Sequence, residues 1–157
     1  MEFDKNIIEK ILIEDLKNLI GYDTSYPPGR TSEISNYIFR ILKDCGYSVS
    51  LHENKKGLTN IVAQMGKGSP SLVLNTHLDT VGPGDLGNWE NNPFEAVIVG
   101  NKIYGLGAAN CKGSGAVQLW LAREIAKKGI PKKGQVTFTF VTDEESLDGN
   151  GTAFLRA

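Results

Sequence analysis

The chain has 157 residues, a length typical of one domain, and a formal net charge of −1. Charged residues make up 22% of it and the lysines are scattered, which excludes the basic surplus of a nucleic-acid-binding protein. Its apolar runs are too short for a membrane span, and the N-terminal residues lack the apolar stretch of a signal peptide. Two cysteines in unrelated contexts favour a reduced, cytoplasmic protein, and two histidines exclude a site built from histidines alone.

The first part of the chain predicts two amphipathic helices joined by a loop. Residues 7–20 place apolar side chains at helical spacing and stop at a glycine. Residues 23–30 contain two prolines followed by a glycine, which favours a loop. A second helix begins near Thr31 or Ser32, either of which can cap it, and ends at Gly46.

The middle of the chain predicts strands separated by turns. In chain order the predicted strands lie within residues 47–52, 60–65, 71–80, 94–99, 102–104 and 135–141. The apolar residues 72–74 predict that the third of these is the central, buried strand. Residues 81–93 predict a loop that carries Trp89, and Gly100-Asn101 suits a hairpin turn. His52 falls on the polar face of its strand and is predicted to be a surface residue.

Two further helices complete the pattern. Residues 113–128 predict a third helix, and residues 149–157 the first turns of a fourth. The predicted buried stripe of the third helix consists of Val117, Trp120, Leu121 and Ile125. Helices that alternate with strands predict an α/β fold with helices packed on the faces of a sheet.

Polar side chains that can carry chemistry follow the predicted strands and turns. In a strand, residues i and i+2 share a face, so His77 and Asp79 leave the sheet side by side. Asn110 lies in a glycine-rich turn, and Glu144 and Glu145 follow the last strand. Zinc binds imidazole and carboxylate groups, and water beside it attacks a carbonyl once a carboxylate takes its proton. Each motif alone is also compatible with a solvated acid pair or an ordinary hydrogen-bonded histidine.

Four ordered motifs carry a family resemblance. They are HLDTV at 77–81, W-x3-PF at 89–94, YGLGAANCKG at 104–113 and TDEES at 142–146. The chain resembles the co-catalytic zinc amidohydrolases that include acetylornithine deacetylase, succinyl-diaminopimelate desuccinylase, aminoacylase and glutamate carboxypeptidase. The resemblance implies a three-layer αβα, zinc-exopeptidase-like fold with a mixed, mostly parallel central sheet. It also implies hydrolysis of amide bonds in N-acyl amino acids or small peptides.

The resemblance also implies a role for each site residue. His77 would be a metal ligand, with Asp79 steadying its imidazole as part of the catalytic set. Glu144 would be the general base, and Glu145 a ligand of one metal. Asn110 stands where the family has an aspartate that bridges two zinc ions. The implied cofactor is zinc, two ions per site in the family, with cobalt as an alternative ion.

The asparagine is one of two departures from the family pattern, and the smaller one. An amide offers one neutral oxygen and an NH2 donor, so it cannot bridge two cations as a carboxylate does. We therefore expect one zinc ion or none in this chain. Asn110 could instead cap the following helix or accept a hydrogen bond. Cys111 could supply a thiolate to a metal or be a packed thiol.

A second departure concerns the extent of the chain. The family's catalytic domain continues past the acid pair and contains an inserted dimerisation domain. Residues 1–157 would then be the N-terminal part of the catalytic domain, without the insertion and the C-terminal part. We expect a small-molecule substrate, no nucleic-acid or membrane partner, and self-association through an exposed sheet edge. Two alternatives stay open: a catalytically inactive fragment or diverged member that binds or assembles, and, fitting the motifs less well, an aminopeptidase with different ligand spacing.

Overall fold

The computed structural model describes residues 4–156, so only Ala157 of the predicted last helix lies outside it. The helices of this part are α1 (Lys5–Ile20), α2 (Ser32–Asp44), α3 (Lys112–Lys127) and α4 (Asn150–Arg156). The strands are β1 (Ser25–Tyr26), β2 (Ser48–Lys55), β3 (Leu58–Lys67), β4 (Ser71–His77), β5 (Thr80–Val81), β6 (Val97–Val99), β7 (Lys102–Tyr104) and β8 (Gly134–Val141). A 3₁₀ helix spans Leu86–Asn88 within the predicted loop.

The main sheet has four strands in the order β2-β3-β8-β4. Strand β3 is antiparallel to both β2 and β8, whereas β4 runs parallel to β8. The predicted α/β class and the mixed sheet are therefore confirmed. The expectation of mostly parallel strands is wrong for the described part, because two of its three main-sheet pairings are antiparallel. Strand β3 follows β2 after a two-residue turn, and so short a connection can only join antiparallel neighbours.

Strand β4 lies at the edge of this sheet and not at its centre. Within residues 4–156 it pairs only with β8, and its side chains Leu72 and Val73 are 59% and 57% exposed. The prediction of a central, buried strand is therefore wrong, since an apolar run has the same sequence pattern at an edge as in a centre. The parallel register places His77 opposite Val141, so both strands end on the same side of the sheet. We call this side the rim; it comprises His77 and the residues that follow the two strands.

One hydrophobic core joins the first three helices to one face of the sheet. It contains Leu19 of α1, Ile38 of α2 and Leu119 of α3, together with Ala63 of β3 and Phe138 of β8. No helix in the described range is long and apolar enough to cross a membrane.

The buried stripe of α3 differs from the predicted one. Leu121 and Ile125 of the predicted stripe are partly buried against the core, whereas Val117 is 50% exposed and the fully buried side chains lie at neighbouring positions. The buried residues of the stripe are Gly115, Ala116, Leu119 and Ala122. A Cβ at Gly115 would lie 3.3 Å from Leu19 Cδ1, so the small residues let α3 approach α1 closely. The close approach of α3 to α1 thus decides which residues of α3 are buried, and the bulk of their side chains does not.

Two strand pairings and one pair of side-chain hydrogen bonds hold the connecting segments in place. Strand β1 pairs with β5 in parallel, so the predicted loop 23–30 is tied to the residues that follow His77. The predicted hairpin forms from β6 and β7. Thr31 does not cap α2 with its side chain. Its hydroxyl instead accepts a hydrogen bond from the N–H of Thr59 and donates one to the carbonyl of the same residue, which ties α2 to β3.

Candidate metal centre

His77 ends β4 with its ring mostly shielded from solvent. Nδ1 lies 2.9 Å from the main-chain oxygen of Asp79. A carbonyl can only accept, so this contact places the proton on Nδ1 and leaves Nε2 as the nitrogen that faces the rim. Nε2 lies 3.3 Å from Asn110 Oδ1 and 3.8 Å from Glu144 Oε2. Burial lowers the pKa of His77, but hydrogen bonding to Asp79 and the charges of Asp79 and Glu144 raise it more, so the net shift is upward.

Asp79 is fully buried behind His77 and joins two parts of the rim. Its Oδ2 accepts hydrogen bonds from the backbone N–H groups of Glu144 and Glu145, each at 2.9 Å. Its Oδ1 lies 3.7 Å from His77 Nδ1 and has no hydrogen-bond partner among the described residues. The imidazole is thus held by the main-chain oxygen of Asp79, and the carboxylate fixes the backbone of the acid pair. The sequence alone did not predict this second contact.

The acid pair follows β8 on a tight turn. Asp143, just before it, has a positive φ of 63° and is buried. The Asp143 carboxylate accepts hydrogen bonds from Asn150 Nδ2 at 2.9 Å and Lys55 Nζ at 3.4 Å, which hold the turn. Ligand atoms of His77, Glu144 and Glu145 all lie within 4.8 Å of one another. The structure therefore brings together the histidine and both glutamates that the sequence singled out.

Asn110 lies between the histidine and the acid pair. Its Nδ2 donates a hydrogen bond of 2.7 Å to Glu145 Oε1, so its Oδ1 faces His77 Nε2. In the neutral imidazole, Nε2 is also an acceptor, and two acceptors attract each other only through a proton or a cation between them. Nε2, the amide oxygen and the carboxylate oxygens are donor atoms of the kind that zinc binds. The residues present thus fit one metal ion.

Cys111 is buried beneath this rim, and its thiol donates to the main-chain oxygen of Asp79 at 3.3 Å. Burial raises the pKa of the thiol to about 12, which keeps it protonated at neutral pH. These observations favour the packed thiol over a thiolate ligand. His52 lies elsewhere on β2, half-buried, with its Nε2 2.8 Å from Ser50 Oγ.

Two residues that hydrogen-bond the backbone near the rim were not predicted from the sequence. Thr24, in the predicted loop, donates from its hydroxyl to the carbonyl of Leu78, the residue after His77. Lys112, two residues after Asn110, is 1% exposed and donates to the carbonyl of Tyr22. The position of Lys112 in the glycine-rich motif was a signal, but its burial is unusual for a lysine and could not be read from the pattern.

Several known proteins are similar to this chain in sequence. A succinyl-diaminopimelate desuccinylase from Rickettsia bellii is 34% identical over 140 residues, which cover 87% of this chain and 35% of the relative. The desuccinylase from Shewanella piezotolerans is 36% identical over 113 residues, covering 71% of this chain and 29% of that protein. The chain therefore spans about a third of the length of these curated relatives.

Solved structures show the same fold. A tripeptidase from Staphylococcus aureus has a TM-score of 0.69 and 28% identity over 88% of this chain and 37% of its own. Human carnosine dipeptidase 1, at 18% identity, has a TM-score of 0.75 over 90% of this chain and 33% of its own. An M20 family metallo-carboxypeptidase from Sulfolobus solfataricus, at 22% identity, has a TM-score of 0.74 over 92% of this chain and 32% of its own.

The family assignment rests on a match that begins within β4 and includes the histidine, the asparagine and both glutamates of the rim. Residues 73–157, more than half of the chain, match the model of peptidase family M20/M25/M40. This protein belongs to peptidase family M20/M25/M40.

Proposed function

We propose that this chain carries the metal-holding part of the active site of an amide hydrolase. The observation that supports it is the convergence of His77, Glu144 and Glu145, whose ligand atoms lie within 4.8 Å of one another. Relatives named as desuccinylases and as a tripeptidase indicate the substrate class, N-acyl amino acids or small peptides. We further propose that residues 1–157 form the N-terminal part of the catalytic domain and that the protein is cytoplasmic, as its two free cysteines favour.

In this proposal His77, through Nε2, and Glu145 hold one metal ion, with the amide oxygen of Asn110 beside them. Zinc, or cobalt in its place, polarises a carbonyl oxygen and makes water a stronger acid when bound. Glu144 has a side chain that is 54% exposed and 3.8 Å from His77 Nε2, so it can reach a water molecule or a substrate amide. It takes the proton from water and passes it to the leaving amine nitrogen. Asp79 positions the imidazole and the acid pair and touches no substrate.

A second candidate function is a metal-binding or assembly protein without hydrolytic activity. The hydrogen bond between Asn110 Nδ2 and Glu145 Oε1 favours it, because it engages a ligand oxygen and the neutral amide supplies no bridging negative charge for a second cation. The two candidates differ in whether Glu144 moves a proton during turnover. Both require that the rim binds metal.

Metal counting and an activity assay on the same samples test both candidates. The chain is stripped with a chelator, reloaded with zinc or cobalt, dialysed and measured by elemental analysis. We expect one metal ion per chain and weak hydrolysis of an N-succinyl amino acid or a tripeptide. Glu144→Gln should abolish that hydrolysis and keep the metal, whereas Glu95→Gln, at an exposed glutamate outside the rim, should change neither. Absence of bound metal would refute the proposal, and metal without hydrolysis would favour the inactive candidate.

We also propose self-association through the outer edge of β4. Apart from its terminal histidine this strand carries no ionisable side chain, and it contains no proline, so it lacks the usual protection of an edge against pairing with another chain. Leu72 and Val73 add exposed apolar surface on opposite faces of that edge. A second copy could therefore add its own β4 to the sheet.

A further inference from the structure

Lys112 is a buried lysine that the proposed chemistry does not use. It is 1% exposed and the largest fully buried side chain in the described part of the molecule. Its Nζ donates a 2.7 Å hydrogen bond to the main-chain oxygen of Tyr22, just after α1, and no carboxylate forms a salt bridge with it within residues 4–156. Removing an ammonium from water is costly. The hydrogen bond to the carbonyl of Tyr22 therefore matters most for stabilising the buried charge.

The stem of Lys112 also shapes the loop that presents Asn110. A Cβ at Gly107 would lie 3.1 Å from Lys112 Cδ and 2.8 Å from Thr80 Cγ2, so this loop closes tightly over the lysine stem. The backbone N–H of Lys112 lies 3.1 Å from the carbonyl oxygens of both Gly107 and Asn110. The lysine thus contacts the Asn110 loop along its stem and the segment after α1 at its tip.

The same segment after α1 holds the other half of the rim. The buried Thr24 donates from its hydroxyl to the carbonyl of Leu78 at 2.8 Å. Its own carbonyl accepts the N–H of Thr80 at 3.0 Å. Residues 22–24 therefore connect the backbone after His77 with the tip of Lys112.

We propose that Lys112 and residues 22–24 form a brace that fixes the Asn110 loop relative to His77 and so sets the geometry of the metal site. This inference rests on the proposed function for its effect on metal binding, although the brace itself exists without metal. Lys112 is a positioning residue, because its ammonium contacts the carbonyl of Tyr22 and not the ligand atoms. Losing a direct hydrogen-bond partner of a metal ligand typically weakens metal binding about 10–100-fold, so this more remote contact should act at the lower end of that range.

Lys112→Met tests the brace, since methionine keeps an apolar stem and removes the donor. We expect zinc binding, measured by competition with a chromogenic chelator, to weaken about ten-fold, the lower end of the range for direct partners of a ligand. In the metal-free protein, amide hydrogen exchange at Ala108 and Thr80 should accelerate about ten-fold, because both amides donate to backbone oxygens within the braced segments. The matched control is Tyr47→Phe, which removes another buried side-chain bond to a main-chain oxygen, that of Ala122 in α3. It should leave zinc binding and these two amides unchanged.

Thr24→Val cuts the other arm of the brace and serves if Lys112→Met fails to fold. It should accelerate exchange at Thr80 and weaken zinc binding in the same direction. Unchanged exchange at Ala108 and Thr80 in Lys112→Met, or faster exchange with unaltered zinc affinity, would overturn the brace. If the wild-type chain binds no metal, the proposed function fails, and exchange at these amides still decides whether the brace exists.

Discussion

Replacing Asn110 by aspartate tests how a negative charge at this position changes stability and metal binding. The Asn110 Nδ2 donor lies 2.7 Å from Glu145 Oε1. Asn110→Asp changes this donor into a carboxylate oxygen, so an attractive contact becomes a repulsive one. The same change replaces one neutral oxygen by two equivalent anionic oxygens, one for each of two neighbouring cations. The variant should therefore lose stability without metal and gain the capacity for a second metal.

The structure sets the size of the loss. Two unit charges ~3 Å apart repel by ~1.4 kcal/mol at the dielectric constant of water, the appropriate limit because Asn110 is exposed. The lost hydrogen bond to a charged group adds ~1.5–3 kcal/mol at most, and less at an exposed site. We expect the metal-free variant to be less stable by ~1–3 kcal/mol. For a chain of this length that is a fall in Tm of ~2–10 °C.

Thermal unfolding in chelator and in zinc measures both effects, with elemental analysis of the dialysed samples. Wild type should hold at most one zinc ion, and Asn110→Asp two, with the larger zinc-induced rise in Tm in the variant. Asn91→Asp adds the same charge at an exposed loop residue and should change neither quantity. Two tightly bound zinc ions in wild type, or an Asn110→Asp variant as stable as wild type in chelator, would refute the reasoning.

Three further predictions concern the scaffold. Gly151→Ala should lower the free energy of unfolding in urea by ~1–3 kcal/mol, because its Cβ would overlap the main-chain oxygen of Thr142, whereas Gly21→Ala has room and should not destabilise. Burial raises the pKa of Tyr47 from 10.0 to about 12, so the unfolded chain loses the phenolic proton at lower pH than the folded chain. The free energy of unfolding should therefore fall between these two pH values, by up to ~2.7 kcal/mol. Urea titrations at several pH values should show a weaker dependence of this free energy on pH for Tyr47→Phe. Val73→Lys should reduce self-association in sedimentation velocity, and wild type that stays monomeric across concentrations would contradict edge pairing.

The elements that the sequence predicted best were those with local signals. Helix α1 ends before Gly21, a poor helix former whose φ of −60° is open to any residue, and the hairpin turns at Gly100-Asn101, where Gly100 has a φ of 61°. The position of β4 in the sheet was predicted wrongly, since strand order depends on pairings between residues far apart in the chain. The stripe of α3 was predicted only in part: Leu121 and Ile125 pack against the core, but Gly115 and Ala116, which bury less apolar surface than Trp120, allow closer contact with α1.

The meeting of the histidine and the glutamates at the rim could be predicted, because it depends on one strand pairing and not on the order of all the strands. Within residues 4–156, only the β4–β8 pairing of the main sheet is parallel, and it places His77 opposite Val141. Parallel neighbours end at the same edge, so whatever follows the two strands must meet there, as the histidine and the glutamates do. The brace of Lys112 and residues 22–24 has no such rule behind it. Its acceptors, the oxygens of Tyr22 and Leu78, belong to the main chain and leave no trace in residue identity, so only coordinates could reveal it.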